Sequence, residues 1–107
     1  MIYELRIYET VPGKLPALHE RFANHTLKFF EKYGIGIVGF WTEEIGENNK
    51  LIYLLKFDDL ADRETRWSAF QQDPDWIKTR SETERDGPIV RCISNRIWKP
   101  TEYSPMK

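Results

Sequence analysis

The stretch Leu51-Ile52-Tyr53-Leu54-Leu55-Lys56-Phe57 contains a single charge and hardly alternates. Successive side chains of a β-strand point to opposite faces, so a strand with one face in water reads apolar, polar, apolar, polar. A strand that stays apolar at both parities is covered on both sides. This segment is therefore expected at the centre of a sheet, with something packed on each face. The remaining residues of a 107-residue chain must supply those covers, and that length fits one domain around one core. Its 40% hydrophobic and 14% aromatic content is sufficient for such a core.

The flanking segments follow from periodicity and punctuation. Ile2 to Glu9 alternates, with Tyr3, Leu5 and Ile7 on one side and Glu4, Arg6 and Tyr8 on the other. Pro12-Gly13 ends that strand, and Pro16 suits only the opening turn of a helix, so a helix is predicted from about Lys14. Turning about 100° per residue lines up Leu15, Leu18, Phe22, Thr26, Phe29 and Tyr33. His25 and Phe30 fall at the margins of that stripe and Arg21 mostly outside it. Gly34 supplies a left-handed stop. A β-rich run from Ile35, closed by Gly46-Glu47-Asn48-Asn49, forms a hairpin with the central strand. Asp58-Asp59 caps a helix with Leu60, Trp67 and Phe70 on one face, ending near Gln72. Asp73-Pro74-Asp75 starts another, with Trp76 and Ile77 expected to anchor it inward. A last strand is predicted over Ile89 to Trp98.

The order strand, helix, strand, strand, helix, strand is the ferredoxin-like βαββαβ arrangement, an α+β fold with a four-stranded antiparallel sheet. Residues 1–99 form the domain and 100–107 an extended tail. Helices cover only one face of such a sheet, so a second copy of the chain is expected on the other, giving a dimeric α/β barrel. Apolar burial contributes about 25 cal/mol per Å², and an interface near 1,600 Å² holds two copies together at that rate.

Sixteen Lys and Arg stand against seventeen Asp and Glu, a net charge of −1, which gives no basic field for a nucleic acid or an anionic membrane. No apolar run approaches a membrane span, and the start carries no signal-peptide pattern. The single cysteine, Cys92, forms no internal disulfide and is expected as an inert buried thiol. A cytoplasmic setting follows as the expectation.

The ordered set Tyr3-Glu4-Leu5-Arg6-Ile7-Tyr8, Pro12-Gly13-Lys14, Glu31-Lys32-Tyr33-Gly34-Ile35, Val38-Gly39-Phe40-Trp41, Gly46, Asn49 and Asp73-Pro74-Asp75-Trp76 resembles the NIPSNAP family. The resemblance covers roughly Ile2 to Trp76 and implies a dimeric α/β barrel. It implies little chemistry: animal members are linked to mitochondria and vesicle transport, and small bacterial members are generally of unknown function. The chain departs from the family pattern at Tyr53, where a histidine is expected, and in the charged segment after Trp76.

The candidate chemistry begins with Glu4, Arg6 and Tyr8 on one face of a central strand, where charges must pair or meet a ligand. Arg6 is able to grip a carboxylate with Tyr8 as a second donor, while a structural Glu4–Arg6 pair accounts for both charges without one. His19 and His25 are six apart and point about 120° from each other, so they make no zinc site. His25 at the stripe's margin is a candidate general base or, by analogy with haem-binding dimeric barrels, a haem ligand. Glu4, Phe22, Phe29, Trp41, Tyr53 and Trp67 are candidates to line a pocket for a flat ligand, with ordinary core packing as the competing account. No metal or cofactor is called for. Two functions are carried forward: a homodimer binding a small molecule or a protein partner, and a cofactor-independent monooxygenase or isomerase acting on a small hydrophobic or aromatic acid.

Overall fold

In the computed structural model, which describes all 107 residues, the first alternating segment is strand β1 (Ile2–Thr10). It leads through Pro12-Gly13, with Gly13 at φ +83°, into α1 (Leu15–Arg21). A π-helical turn (Phe22–Thr26) and α2 (Leu27–Lys32) continue the same helix, which stops at Gly34, φ +65°. The hairpin follows as β2 (Gly36–Trp41) and β3 (Lys50–Phe57), then α3 (Leu60–Gln72), α4 (Pro74–Thr83) and β4 (Val90–Trp98). The sheet order is β2-β3-β1-β4 with every pairing antiparallel, so β3 and β1 are its central strands. This is the ferredoxin-like α+β fold.

Register decides which side chains meet. Arg6 lies opposite Tyr53 on β3 and Asn95 on β4, while Leu5 lies opposite Leu54 and Arg96. Glu4, Arg6, Tyr8, Leu51, Tyr53, Leu55 and Phe57 are buried on one side, beneath the helices. The other parity carries Leu5, Ile7, Ile52 and Leu54, half-buried on a face that no helix covers. So β3 is apolar at both parities because one row enters the core and the other forms the centre of a bare apolar sheet surface.

The helices show where local periodicity misleads. The π turn fits an extra residue into the turn, which rotates everything after it. As a result Phe30, at the margin of the simple helical wheel, becomes fully buried at 0% exposure, and Phe29, on its centre line, only half-buried. Asp59 caps α3 by accepting from the backbone N–H of Asp62 at 2.8 Å. Phe70 is buried, but Leu60, on the same stripe at the helix's first position, is exposed. Asp73 caps α4, accepting from the N–H groups of Asp75 and Trp76. Trp76 is buried and Ile77 is not, because neighbours on a helix lie about 100° apart and one inward face cannot hold both. Cys92 is exposed rather than buried: it stands opposite Glu9 on an edge strand, on the face without helices. No helix is long and apolar enough to cross a membrane.

Candidate functional site

β1 is central, so its polar parity is buried beneath the helices and its charges must be matched there. Glu4, at 0% exposure, accepts from Arg6 Nη1 at 2.9 Å, Arg63 Nε at 2.9 Å, Arg63 Nη2 at 3.1 Å and Asn95 Nδ2 at 3.0 Å. Burial alone raises a carboxyl pKa. Here the bonds from Arg63 and Asn95, with the charges of Arg6 and Arg63, outweigh it and hold Glu4 below its ordinary value. Arg63 closes this ion cluster from α3.

Arg6 is therefore committed on one side. Its Nε donates to the Tyr53 hydroxyl at 3.0 Å and its Nη2 to the Tyr8 hydroxyl at 3.4 Å, and Trp67 lies with its ring centroid 4.3 Å from the guanidinium carbon. Burial opposes the charge of Arg6, but Tyr8 and Tyr53, and then Glu4, more than compensate, so the guanidinium stays charged. Burial, followed by the proximity of Tyr8, pushes the Tyr53 phenol well above its ordinary value. Tyr53 is thus neutral, and it donates to Tyr8 at 2.8 Å. The Tyr8 oxygen receives from both Arg6 and Tyr53, which leaves its own proton to be donated elsewhere.

Tyr8 lines a cleft of about 610 Å³, between β1, β4 and the helices. Arg6 and Tyr8 form its floor, Phe22, Trp67 and Trp76 its aromatic walls, and Arg21, just before the π turn, and Thr26, the last residue of that turn, line it too. The cleft exists because β4 lies at the sheet edge, where the helical layer does not cover it; Ile93, beside the cleft, is 49% exposed. Two donors in the cleft lining have no partner, Arg21 Nε and Trp76 Nε1, although both side chains are buried. Such a group ordinarily costs about 1–3 kcal/mol.

Of the sequence candidates, the fold brings Arg6, Tyr8, Phe22 and Trp67 to the cleft. Glu4 and Tyr53 lie behind its floor as the groups that hold Arg6 and Tyr8. Phe29 packs between Phe70 and Trp76 in the core, and Trp41 is half-exposed on the opposite face of the sheet, opposite Ile52. His25 does not point into the helix–sheet cavity. It is exposed beside a second hollow of about 200 Å³, too small for a porphyrin, which it lines with Glu20, Thr83 and Arg21, the last shared with the cleft, because the π turn directs Thr26 inward and His25 out. No group of three His, Cys, Asp or Glu is placed to hold a metal ion. The residue that sequence reasoning passed over is Arg21. It follows Leu18 by three positions, about 60° from it around the helix, and this is the signal that a wheel centred on the apolar side chains discounts.

Three comparisons bear on this arrangement. A NIPSNAP protein of unknown function from Agrobacterium tumefaciens is 28% identical, with TM-score 0.86, the match covering 100% of this chain and 94% of that one. A NIPSNAP-like domain protein from Burkholderia xenovorans is 24% identical, with TM-score 0.86 and coverages of 97% and 88%. A Streptomyces coelicolor monooxygenase in complex with Nanaomycin D is 8% identical, with TM-score 0.64 over 99% and 92%, a likeness of fold alone. No curated protein matches. The NIPSNAP family model matches residues 3–105, so it extends past Trp76 through β4 and into the tail. A family match over nearly the whole length places this chain in the NIPSNAP family.

Proposed function

We propose that this NIPSNAP-family chain acts in the cytoplasm as a homodimer that binds a small molecule in the cleft between β1, β4 and the helices. The observation that carries the reading is the polar floor under aromatic walls. The Tyr8 side chain, its hydroxyl fixed by Arg6 and Tyr53, lines the same space as Phe22, Trp67 and Trp76. Small-molecule sites are mostly apolar with a few placed polar groups, and volumes of about 300–1,000 Å³ are usual for them. The dimer accounts for the bare sheet face: Leu5, Ile7, Ile52 and Leu54 form its centre, and Trp41 and Trp98 stand half-exposed towards its edges. A second copy packed there dries all of them.

A second reading is a cofactor-independent monooxygenase or isomerase acting on a small hydrophobic or aromatic acid. It is favoured by the same Tyr8 hydroxyl, a proton donor held beside a cation within reach of a bound substrate. The likeness to the Streptomyces coelicolor monooxygenase is of fold, which is weak warrant for chemistry.

The four tryptophans provide the test. In a titration with the neutral probe 2-naphthamide, followed by the indole N–H resonances, Trp67 and Trp76 are expected to shift and saturate while Trp41 and Trp98 stay in place. No shift, or a shift confined to Trp41 and Trp98, rejects the cleft as the binding site.

A further inference from the structure

The guanidinium of Arg21 is only half used. Its Nη1 donates to the Thr83 hydroxyl at 3.4 Å and to Glu84 Oε1 at 3.3 Å, both long contacts. Its Nε has no partner although the side chain is 5% exposed, and Nη2 donates to no protein atom. Nε and Nη2 make up one edge of the guanidinium, with two parallel N–H bonds that match the two oxygens of a carboxylate. The unpaired edge is thus a complete two-pronged donor.

Trp76 reinforces it. The guanidinium carbon of Arg21 lies 5.9 Å from the Trp76 ring centroid, and the buried Trp76 indole N–H is the other donor without a partner. Both residues line the cleft, and Arg21 is the last residue before the π turn, whose Phe22 and Thr26 line it too. π turns recur at functional sites.

Charge favours an anion at this end. Arg6 is matched by Glu4 and Arg91 by Glu9, but Arg21 and Arg80 share a single acidic neighbour in the cleft wall, Glu84. That carboxylate also argues for a singly charged ligand. A dianionic phosphate beside Glu84 would face the stronger repulsion, and a carboxylate spends both its oxygens on one planar edge where a phosphate leaves a third oxygen unmatched.

We propose that the cleft takes a flat, apolar carboxylic acid, with its carboxylate on the Nε–Nη2 edge of Arg21 and the Trp76 indole N–H, and its ring system between Phe22 and Trp67. This rests on the small-molecule reading above and names the ligand's class and its anchor. Because Arg21 Nε is shielded from water, the carboxylate displaces part of what packs against it, a side-chain adjustment that binding commonly brings.

The experiment compares 2-naphthoate, 2-naphthamide and 2-naphthyl phosphate on the full chain by calorimetry. The carboxylate is expected to bind at least about tenfold more tightly than the amide, since a two-pronged charged pair replaces a neutral contact. R21M should erase that ratio by weakening the acid far more than the amide, and W76F, which keeps a ring and loses the N–H, should reduce it several-fold. R21K, which retains the charge without the fork, should give an intermediate ratio and serves where R21M does not fold. Equal affinities for acid and amide in the wild type, or a preference undiminished in both R21K and W76F, overturn the anchor. Tighter binding of the phosphate overturns the carboxylate class. If neither naphthoate nor naphthamide binds, the small-molecule reading itself fails, an outcome distinct from amide binding without acid preference.

Discussion

Arg63 on α3 and Glu4 on β1 meet in a two-pronged pair, Nε to Oε1 at 2.9 Å and Nη2 to Oε2 at 3.1 Å. It ties the helical layer to the sheet over the same strand that carries Arg6 and Tyr8. The cleft floor is therefore rigid for a reason outside the cleft: Glu4 holds Arg6, and Arg6 with Tyr53 holds Tyr8.

Glu4→Gln keeps the shape and removes the charge, leaving Arg6 buried without its counter-ion. Removing one partner of a buried pair costs about 3–5 kcal/mol. Urea unfolding of E4Q should show a loss of that order. The double variant E4Q/R6M should recover part of it, because the stranded charge goes too. Equal stability of E4Q and wild type would show that the cluster is solvated.

Tyr53→Phe keeps a ring in the core and removes one hydroxyl that both accepts from Arg6 and donates to Tyr8. Arg6 Nε is then unpaired and buried, at a cost of about 1–3 kcal/mol in unfolding. The Tyr8 hydroxyl also loses one of its two fixing partners. Probe affinity for the cleft is expected to fall in Y53F even at temperatures where the fold is intact, measured by the same indole titration.

Asp73 clamps α2 to α4: its Oδ2 accepts from Lys32 Nζ at 2.7 Å and from the Tyr33 hydroxyl, while Oδ1 caps α4. The bonds from Lys32, then Tyr33, hold its carboxyl well below the ordinary 3.8. A pKa depressed by folding stabilises the native state above the unfolded value, and that stability is lost as pH falls towards the folded one. The melting temperature should therefore hold above pH of about 4 and decline below it. Glu4, also depressed, contributes to the same decline. D73N should melt lower than wild type at neutral pH, with the gap narrowing as the medium is acidified; a gap independent of pH would mean that the clamp acts through geometry and not charge.

Leu54 sits at the middle of the bare sheet face, opposite Leu5. Light scattering at micromolar concentration is expected to give twice the chain mass for wild type and the single-chain mass for Leu54→Glu, with the circular dichroism spectrum retained. A wild-type protein of single-chain mass rejects the homodimer.

The strands, both caps and the stop at Gly34 were legible in the chain because each depends on a few neighbouring residues. Alternation marks β1, the Asp73-Pro74-Asp75 run has the chemistry of a helix start, and a glycine is needed at φ +65°. The absence of alternation in β3 likewise reports what its two faces meet. A Glu4–Arg6 pair was legible on the polar side of β1 and forms, but the rest of the cluster was not, since it depends on Arg63 and Asn95, which are 59 and 91 positions away from Glu4 and arrive only when α3 packs and β4 pairs. Nor were the sides taken by Phe30 and His25: the simple wheel leaves both at the margin of the stripe, and the π turn sends one inward and the other out. Arg21 became a site candidate only when tertiary packing buried its Nε without giving it a partner. Periodicity and capping are short-range and can be read along the chain. Whether a buried donor is satisfied is decided by where distant atoms come to rest in three dimensions.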